Sequence, residues 1–386
     1  MRLLRALAWV VAVISLAASA HVVSAFVRPS GGADRVRAQV RWLNDARADG
    51  AADRMQRLFP EGAFFTHVLT GLAAASTGDA ATVAAALDDS GTDAVKAVFG
   101  DIPALDGGTF YRGWRLVLFA EHVRLGGADR GALAAEADAV QRALAASATG
   151  VPPSYPNGYW PCDAVVAMAG VLRARQVAGQ RPDEAMLAEW RSRIGTVRDP
   201  ASGLLAHRIS ATGTVVEGPR GSSQALIQTF WPDVDPRGAA GEWARFVDGF
   251  VVREAGLVGV REHPRGDDSP GDVDSGPLVF GVSASASAVT LGAARRNGAT
   301  TLADDLDREA EYLGLPLEWA GTRRFAFGLL PVGDAFVAWA RAVPASTTPA
   351  TVATPRPFWW AHALALLLPG LAAGTWLVAS RRKPPA

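Results

Sequence analysis

Three features of the sequence predict an all-α fold, an (α/α)6 barrel with a small β-hairpin insertion, flanked by two transmembrane helices. Helix-length segments alternate between amphipathic and apolar patterns six times over. Only one stretch switches to the two-residue alternation of a strand pair. Both ends carry apolar runs long enough to cross a bilayer. A helix that is apolar all round is buried, and an amphipathic one faces water on one side. Six of each kind, in alternation, predict six inner helices ringed by six outer ones.

The first element, within residues 1–27, opens on the basic start Met1-Arg2-Leu3-Leu4-Arg5 and runs apolar from Ala6 to Val27. Val23-Ser24-Ala25 fits the small-residue pattern of a signal-peptidase site, so this segment is either an anchor or a cleaved signal. The barrel domain occupies residues 28–343. Its outer helices are predicted over Asp34 to Arg47, from Asp79 with a break near Ser90-Gly91, and over Asp129 to Ala148. Three more start at Pro182-Asp183-Glu184, Asp235-Pro236 and Thr301. The inner helices are predicted over Ala63 to Ser76, Tyr111 to Leu125, Cys162 to Val177, Gln224 to Trp231, Leu278 to Asn297 and Phe325 to Ala342. The hairpin is Leu205 to Ile209 with Thr214 to Glu217, turning at Ala211-Thr212-Gly213.

A Thr/Pro-rich linker, residues 344–357, separates the domain from a second apolar span at 358–380. That span opens on Trp359 and Trp360 and is followed by the basic tail 381–386, which contains Arg381-Arg382-Lys383. Aromatic residues suit the bilayer interface and basic ones the cytoplasmic side. Arg2 and Arg5 put the N-terminus on that side too. The expected topology is therefore a cell-membrane protein with both termini cytoplasmic and the main domain extracytoplasmic.

Formal net charge is zero, which removes any global attraction to nucleic acid. Cys162 is the single cysteine, so no intrachain disulfide forms and no cysteine-based metal site is expected. No phosphate-binding Gly-rich loop, His-Glu-x-x-His or Gly-x-Ser-x-Gly run occurs, and neither a cofactor nor a metal is expected. The expected partners are the lipid bilayer and a small-molecule or glycan ligand.

In a barrel of helical hairpins all inner helices run in one direction, so their entry loops gather at one end. Those loops carry the residues with chemistry. Asp163, Asp272 and Asp274 are the candidate acid/base groups, because two carboxylates in different surroundings divide into acid and base. Tyr111, Arg112, Tyr155, Trp160, Arg220, Ser222 and Arg324 are the candidate substrate-binding groups, with aromatic rings to stack on sugar faces. Each has a structural alternative. Asp274 before Ser275-Gly276-Pro277 also fits a helix N-cap, as do Asp272 and Asp163 at their own positions. Arg220 fits an ion pair with one of these aspartates. Tyr155, Tyr159 and Trp160 fit loop packing, and Cys162 fits a small buried residue.

The motifs Tyr155-Pro156 with Trp160-Pro161-Cys162-Asp163, then Pro219-Arg220-Gly221-Ser222-Ser223-Gln224, then Asp272-Val273-Asp274-Ser275-Gly276-Pro277, resemble those of membrane-anchored bacterial six-hairpin proteins. Some of that group are similar to linalool dehydratase/isomerase, and others share their barrel with glycoside hydrolases. The resemblance spans nearly the whole extracytoplasmic domain. It implies either acid/base chemistry on an envelope carbohydrate or glycolipid, or a lyase or isomerase acting on an isoprenoid alcohol. A glycan-binding or envelope-assembly protein without catalysis is the third expectation. The linalool enzyme's pattern uses a pair of cysteines, and this chain has one.

Overall fold

The computed structural model describes residues 2–29 and 32–381, so Arg382 and Lys383 of the expected basic tail lie outside the described residues. The protein is mostly helical, with a few short strands and two long apolar helices at the ends of the chain. In chain order the first eight helices are α1 (Arg2–Val27), α2 (Ala33–Ala48), α3 (Ala51–Gln56), α4 (Gly62–Ala75), α5 (Ala80–Asp89), α6 (Asp93–Lys96), α7 (Gly108–Arg124) and α8 (Arg130–Ala146). Then come α9 (Pro161–Val177), α10 (Glu184–Ile194), α11 (Gly221–Val234), α12 (Ala239–Phe250), α13 (Ala284–Arg296), α14 (Thr300–Leu313), α15 (Pro331–Ala342) and α16 (Trp359–Arg381).

The apolar helices α4, α7, α9 and α11 sit where their composition sends them. Helix α4 is buried along all but one of its positions, and α9 is buried from Pro161 to Leu172. Each of α4, α7, α9, α11, α13 and α15 packs on the next, and α15 packs back on α4. Neighbours α11, α13 and α15 run parallel. The Arg295 guanidinium near the end of α13 reaches the Val343 carbonyl just past α15 (2.8 Å), and Asn297 reaches the Gln228 carbonyl on α11 (2.8 Å). The main core lies among these helices, with Trp114, Phe64 and Phe230 fully buried in it. A second core joins α12, α13 and α14.

Two glycines fix close approaches at helix entrances. Gly108 has φ +78°, and a Cβ there would land on the Ser154 carbonyl. Gly221 lets the first turn of α11 press on the 261–262 backbone, where its N–H donates to the Glu262 carbonyl (2.8 Å), and a Cβ would land on the Arg261 carbonyl oxygen.

The predicted hairpin is present as β1 (Arg208–Ile209) and β2 (Val215–Glu217). More strands follow. β3 (Val251–Glu254), β4 (Leu257–Arg261), β5 (Leu278–Val279) and β6 (Val282–Ser283) form an antiparallel sheet in the order β3-β4-β6-β5. β7 (Leu317–Trp319) pairs with β8 (Thr322–Arg324). These strands correct two predicted helix starts. The helix expected from Leu278 begins at Ala284, capped by Ser283, whose hydroxyl accepts from the Ala286 N–H (3.1 Å). Neither Asp272 nor Asp274 caps it. The helix expected from Phe325 begins at Pro331, where proline suits the first turn.

Helices α1 and α16 are both long and apolar enough to cross a membrane. They pair antiparallel. Ser19 donates to the Ala363 carbonyl (2.9 Å), and Arg5 at the other end reaches the Ser380 carbonyl (2.8 Å). The pair meets the domain at Tyr312, the end of α14, and at the β3–β4 turn. His21 Nε2 lies 2.9 Å from the Tyr312 carbonyl, Phe26 stacks on Trp359 at 5.5 Å, and His362 Nε2 lies 2.7 Å from the Ala255 carbonyl. The 344–357 linker is not a free tether. The Ser346 and Ala350 N–H groups donate to the Arg295 and Gly298 carbonyls, and Ala350 and Val352 pack on the second core.

Candidate functional site

Helix α9 begins after a tight turn at Asn157, which takes a left-handed backbone (φ 61°), and Tyr155 bridges back to Gly158. This turn sends the Tyr155 ring onto Phe110 (5.7 Å) and edge-on to Trp160 (5.3 Å). Its hydroxyl donates to Glu61 Oε1 at 2.6 Å. Glu61 stands at the start of α4 but does not cap it with its side chain, so the carboxylate is free to face Tyr155. Burial, with the Glu61 and Asp163 charges, raises the Tyr155 phenol well above its ordinary range.

Asp163 sits in the first turn of α9 and is buried. The Cys162 thiol donates to its Oδ1 at 3.5 Å. Burial dominates its chemistry and pushes the carboxyl up to about 7. The Ser154 and Cys162 side chains pull it down less strongly, and the Asp274 and Glu61 charges add to the rise. Cys162 is itself raised well above the ordinary thiol range by burial, so it is a neutral thiol at physiological pH.

The two loop aspartates divide their roles. Asp272 Oδ1 accepts the N–H groups of Asp274 (3.0 Å) and Ser275 (3.3 Å), and Oδ2 takes the Arg220 guanidinium. Partial burial raises its pKa, but the charged Arg220 and the two backbone N–H donors together outweigh that and hold Asp272 below the usual carboxylate range. Asp274 is different. Its N–H is taken by Asp272 and its carbonyl by the Ser285 hydroxyl (2.7 Å), while its carboxylate accepts no hydrogen bond from the described residues. The side chain keeps an open path to water, yet protein crowds it closely. That desolvation, with the charges of Asp272 and Glu61, pushes it up to about 6. A carboxyl reached by solvent amid crowding protein can exchange its proton with water while its charge stays poorly solvated.

Arg220, at the entrance of α11, is the cation of the group. Besides Asp272 it lies near Glu262 Oε1 (3.8 Å), Glu217 Oε2 (3.9 Å) and His207 Nε2 (3.5 Å). Ser222 does not offer a free hydroxyl. It donates to Glu262 Oε1 (2.7 Å), and its N–H donates to Oε2 (3.1 Å). Glu262 is fully buried, and burial pushes it up to about 7. His207 is pushed down to about 4 by burial and the adjacent Arg220, so its ring is neutral. Its Nδ1 lies 3.0 Å from the Ser223 hydroxyl.

The entrances of α4, α9, α11 and α13 thus bring together Tyr155, Trp160, Asp163, Arg220, Ser222, Asp272 and Asp274 of the expected residues. Three others lie apart. Tyr111 is buried on Phe64 (5.3 Å) and Phe99 (5.1 Å), and it lines a cavity of about 360 Å³ with Arg112, Arg115 and Glu136. Arg112 makes a two-pronged ion pair with Glu136 on α8, because its position on α7 turns it toward the outer layer. Arg324 lies on β8 opposite Leu317, in the hairpin before α15, and makes no ion pair among the described residues. Glu217 and Glu262 join the group without having been marked as candidates. Glu262 lies in a loop-like stretch with no periodic pattern, and only the contact with the α11 entrance reveals it.

Compared with known protein families and with curated proteins, the sequence matches none.

Proposed function

We propose that the six-membered helix ring is an (α/α)6 barrel tethered to the cell membrane by α1 and α16, with both termini cytoplasmic and the domain outside. Antiparallel pairing of α1 with α16 supports that topology, since it brings Arg5 and Ser380 to one end. The barrel is an acid/base enzyme for an envelope carbohydrate or glycolipid. One observation carries this reading. Asp163 in the first turn of α9 feels the charge of Asp274 from the loop before α13, both carry raised pKa values, and only Asp274 is open to water. At neutral pH a carboxyl near 7 retains a proton to donate, and one near 6 is mostly ionised and can take a proton from water. Asp163 is therefore assigned as the acid and Asp274 as the base. Tyr155 and Trp160 supply the ring surface, and the Arg220–Asp272 pair holds the Asp274 loop in place.

The experiment is Asp163→Asn and Asp274→Asn in the full chain. Turnover is measured on nitrophenyl glycosides and lipid-linked glycans, with melting temperature recorded alongside. A loss of at least about a hundredfold without unfolding is expected, within the range of general acid/base contributions. Unchanged turnover in both variants sinks the assignment.

A second reading has its own observation. The thiol of Cys162 on Asp163, beside the Tyr155–Glu61 bond and an aromatic wall, suits protonation of an isoprenoid alcohol hydroxyl. Dehydration of linalool or geraniol by the same full chain, abolished in Asp163→Asn, would select this reading over glycan hydrolysis.

A further inference from the structure

Three hairpins in the sector around α13, α14 and α15 share an unusual turn. Each has a two-residue tip with both residues at positive φ: Ala255-Gly256, Phe280-Gly281 and Ala320-Gly321. Such turns favour Asn-Gly or Asp-Gly, whose first residue tolerates the left-handed backbone and is soluble. Here the first position is apolar each time, and one tip carries a phenylalanine. The flanking residues extend the pattern. Phe280 is 69% exposed and Trp319, beside the third tip, is 76% exposed. Phe327 and Leu329, in the loop entering α15, are 68% and 77% exposed. Val279 and Leu330 are also exposed. Large apolar side chains gathered on consecutive loop tips mark a surface that something apolar covers.

The first tip identifies the cover. Ala255-Gly256 is held against the start of α16: the Phe358 N–H donates to the Gly256 carbonyl (2.7 Å), and the Arg253 guanidinium lies 4.0 Å over the Phe358 ring. Leu313 and Leu315, both exposed, continue the same surface directly after Tyr312, which meets His21 and His362 of the two apolar helices. Leu313 and Leu315 lead into β7, so the Trp319 tip is joined along the chain to the place where α1 and α16 meet the domain, and β4 carries the surface on from the Ala255-Gly256 tip to the Phe280 tip at its opposite end. The Phe280 and Trp319 tips stand before α13 and α15, two of the ring helices, and Val273, between Asp272 and Asp274, is exposed.

We propose that Phe280, Trp319, Phe327 and Leu329 rest in the head-group layer of the bilayer that α1 and α16 cross. The acid cluster then opens beside the membrane surface and takes a substrate carried on a lipid. This second part rests on the proposed acid/base reading; the first does not. Burying these side chains in the interface removes apolar surface from water, and Arg41, whose guanidinium holds the Gly321 carbonyl (Nε to O 2.8 Å), can extend toward anionic head groups.

The test uses the full chain in phosphatidylcholine/phosphatidylglycerol vesicles. An environment-sensitive fluorophore is attached at Phe280→Cys, Trp319→Cys or Leu329→Cys, with Ala128→Cys in the α7–α8 turn as the distant control; Cys162 is buried and stays unlabelled. Doxyl-labelled lipids are expected to quench the three tip labels by half or more and to leave position 128 bright. Tip labels no more quenched than position 128 overturn the membrane contact. So does tip burial that appears only as the protein self-associates, since a second copy would then be the cover. Separately, Phe280→Glu with Leu329→Glu is expected to lower turnover of a lipid-linked glycan tenfold while sparing a water-soluble glycoside. Equal loss on both overturns lipid presentation without touching the acid/base reading, which Asp163→Asn tests alone.

Discussion

The Tyr155 hydroxyl donates a 2.6 Å hydrogen bond to Glu61, joining the loop before α9 to the entrance of α4 across the intervening helix α7. A hydrogen bond to a charged acceptor is worth about 2 kcal/mol when the acceptor would otherwise be left unsatisfied. Tyr155→Phe should therefore cost about that much in urea unfolding at neutral pH. Adding Glu61→Gln to it should cost little more. Fully additive losses in this double-mutant cycle would show that the two side chains do not act as a pair.

The buried acids set a pH dependence whose sign is fixed. Asp163 ionises near 7 in the folded protein and near 3.8 when unfolded, so its contribution is complete below about pH 4 and is lost as pH rises through 7. The difference corresponds to something on the order of 4 kcal/mol at pH 8. Asp163→Asn should raise the melting temperature at pH 8 and have little effect at pH 4. Equal effects at both would mean that the Asp163 pKa is not raised in the folded protein.

The histidines work in the opposite direction. His67 and His207 are both lowered to about 4, chiefly by burial, so their contribution is present above about 6.5 and is lost as pH falls through 4. Asp163, Glu262, Asp334 and Glu309, all raised chiefly by burial, act with the opposite sign and outnumber the two histidines, so stability is expected to fall as pH rises from 5 to 7. His207→Gln should flatten the acid limb of the melting curve and leave the alkaline limb alone.

Arg220 neutralises acids supplied by three separate segments of the chain. Replacing it by Met leaves Asp272 and Glu262 without their cation, while Glu217 keeps Arg208 at 2.7 Å. Arg220→Met should cost about 3 kcal/mol at pH 8. Much of that should return at pH 5, where Glu262 is protonated. A loss independent of pH would point to packing and not charge.

Gly221→Ala tests the α11 entrance. The added methyl meets the Arg261 backbone, which cannot yield without moving Glu262 and the β4–β6 pairing. Destabilisation of at least about 2 kcal/mol is expected, with Glu262 and Ser222 drawn apart. A neutral effect would show that the sheet shifts freely.

Much of the helix order was legible because burial on all sides needs a sequence without charge, as in α4 and the first two-thirds of α9. The β3–β4–β6–β5 sheet was not. Its strands are two to five residues long, and its tips lack the Asn-Gly that announces a hairpin. The Ala/Ser/Val run after Pro277 serves a short strand as readily as a buried helix, so the start of α13 was placed six residues early. In the site, the Asp272 and Asp274 loop stood out by composition, but which aspartate holds the loop and which keeps an unbonded carboxylate depends on where Arg220 arrives. Arg112 lies apart from the other candidates for a related reason: position on a helix face, which sequence order does not give near an entrance, decides whether an arginine turns inward or toward α8.

Ser19 is buried against the Ala363 carbonyl, 344 residues further along the chain. The acceptor for the Ser19 hydroxyl is therefore made only after the whole domain between them. The α1–α16 contact closes the chain across the domain, and a cut within residues 344–357 would turn that closure into an encounter between two separate chains.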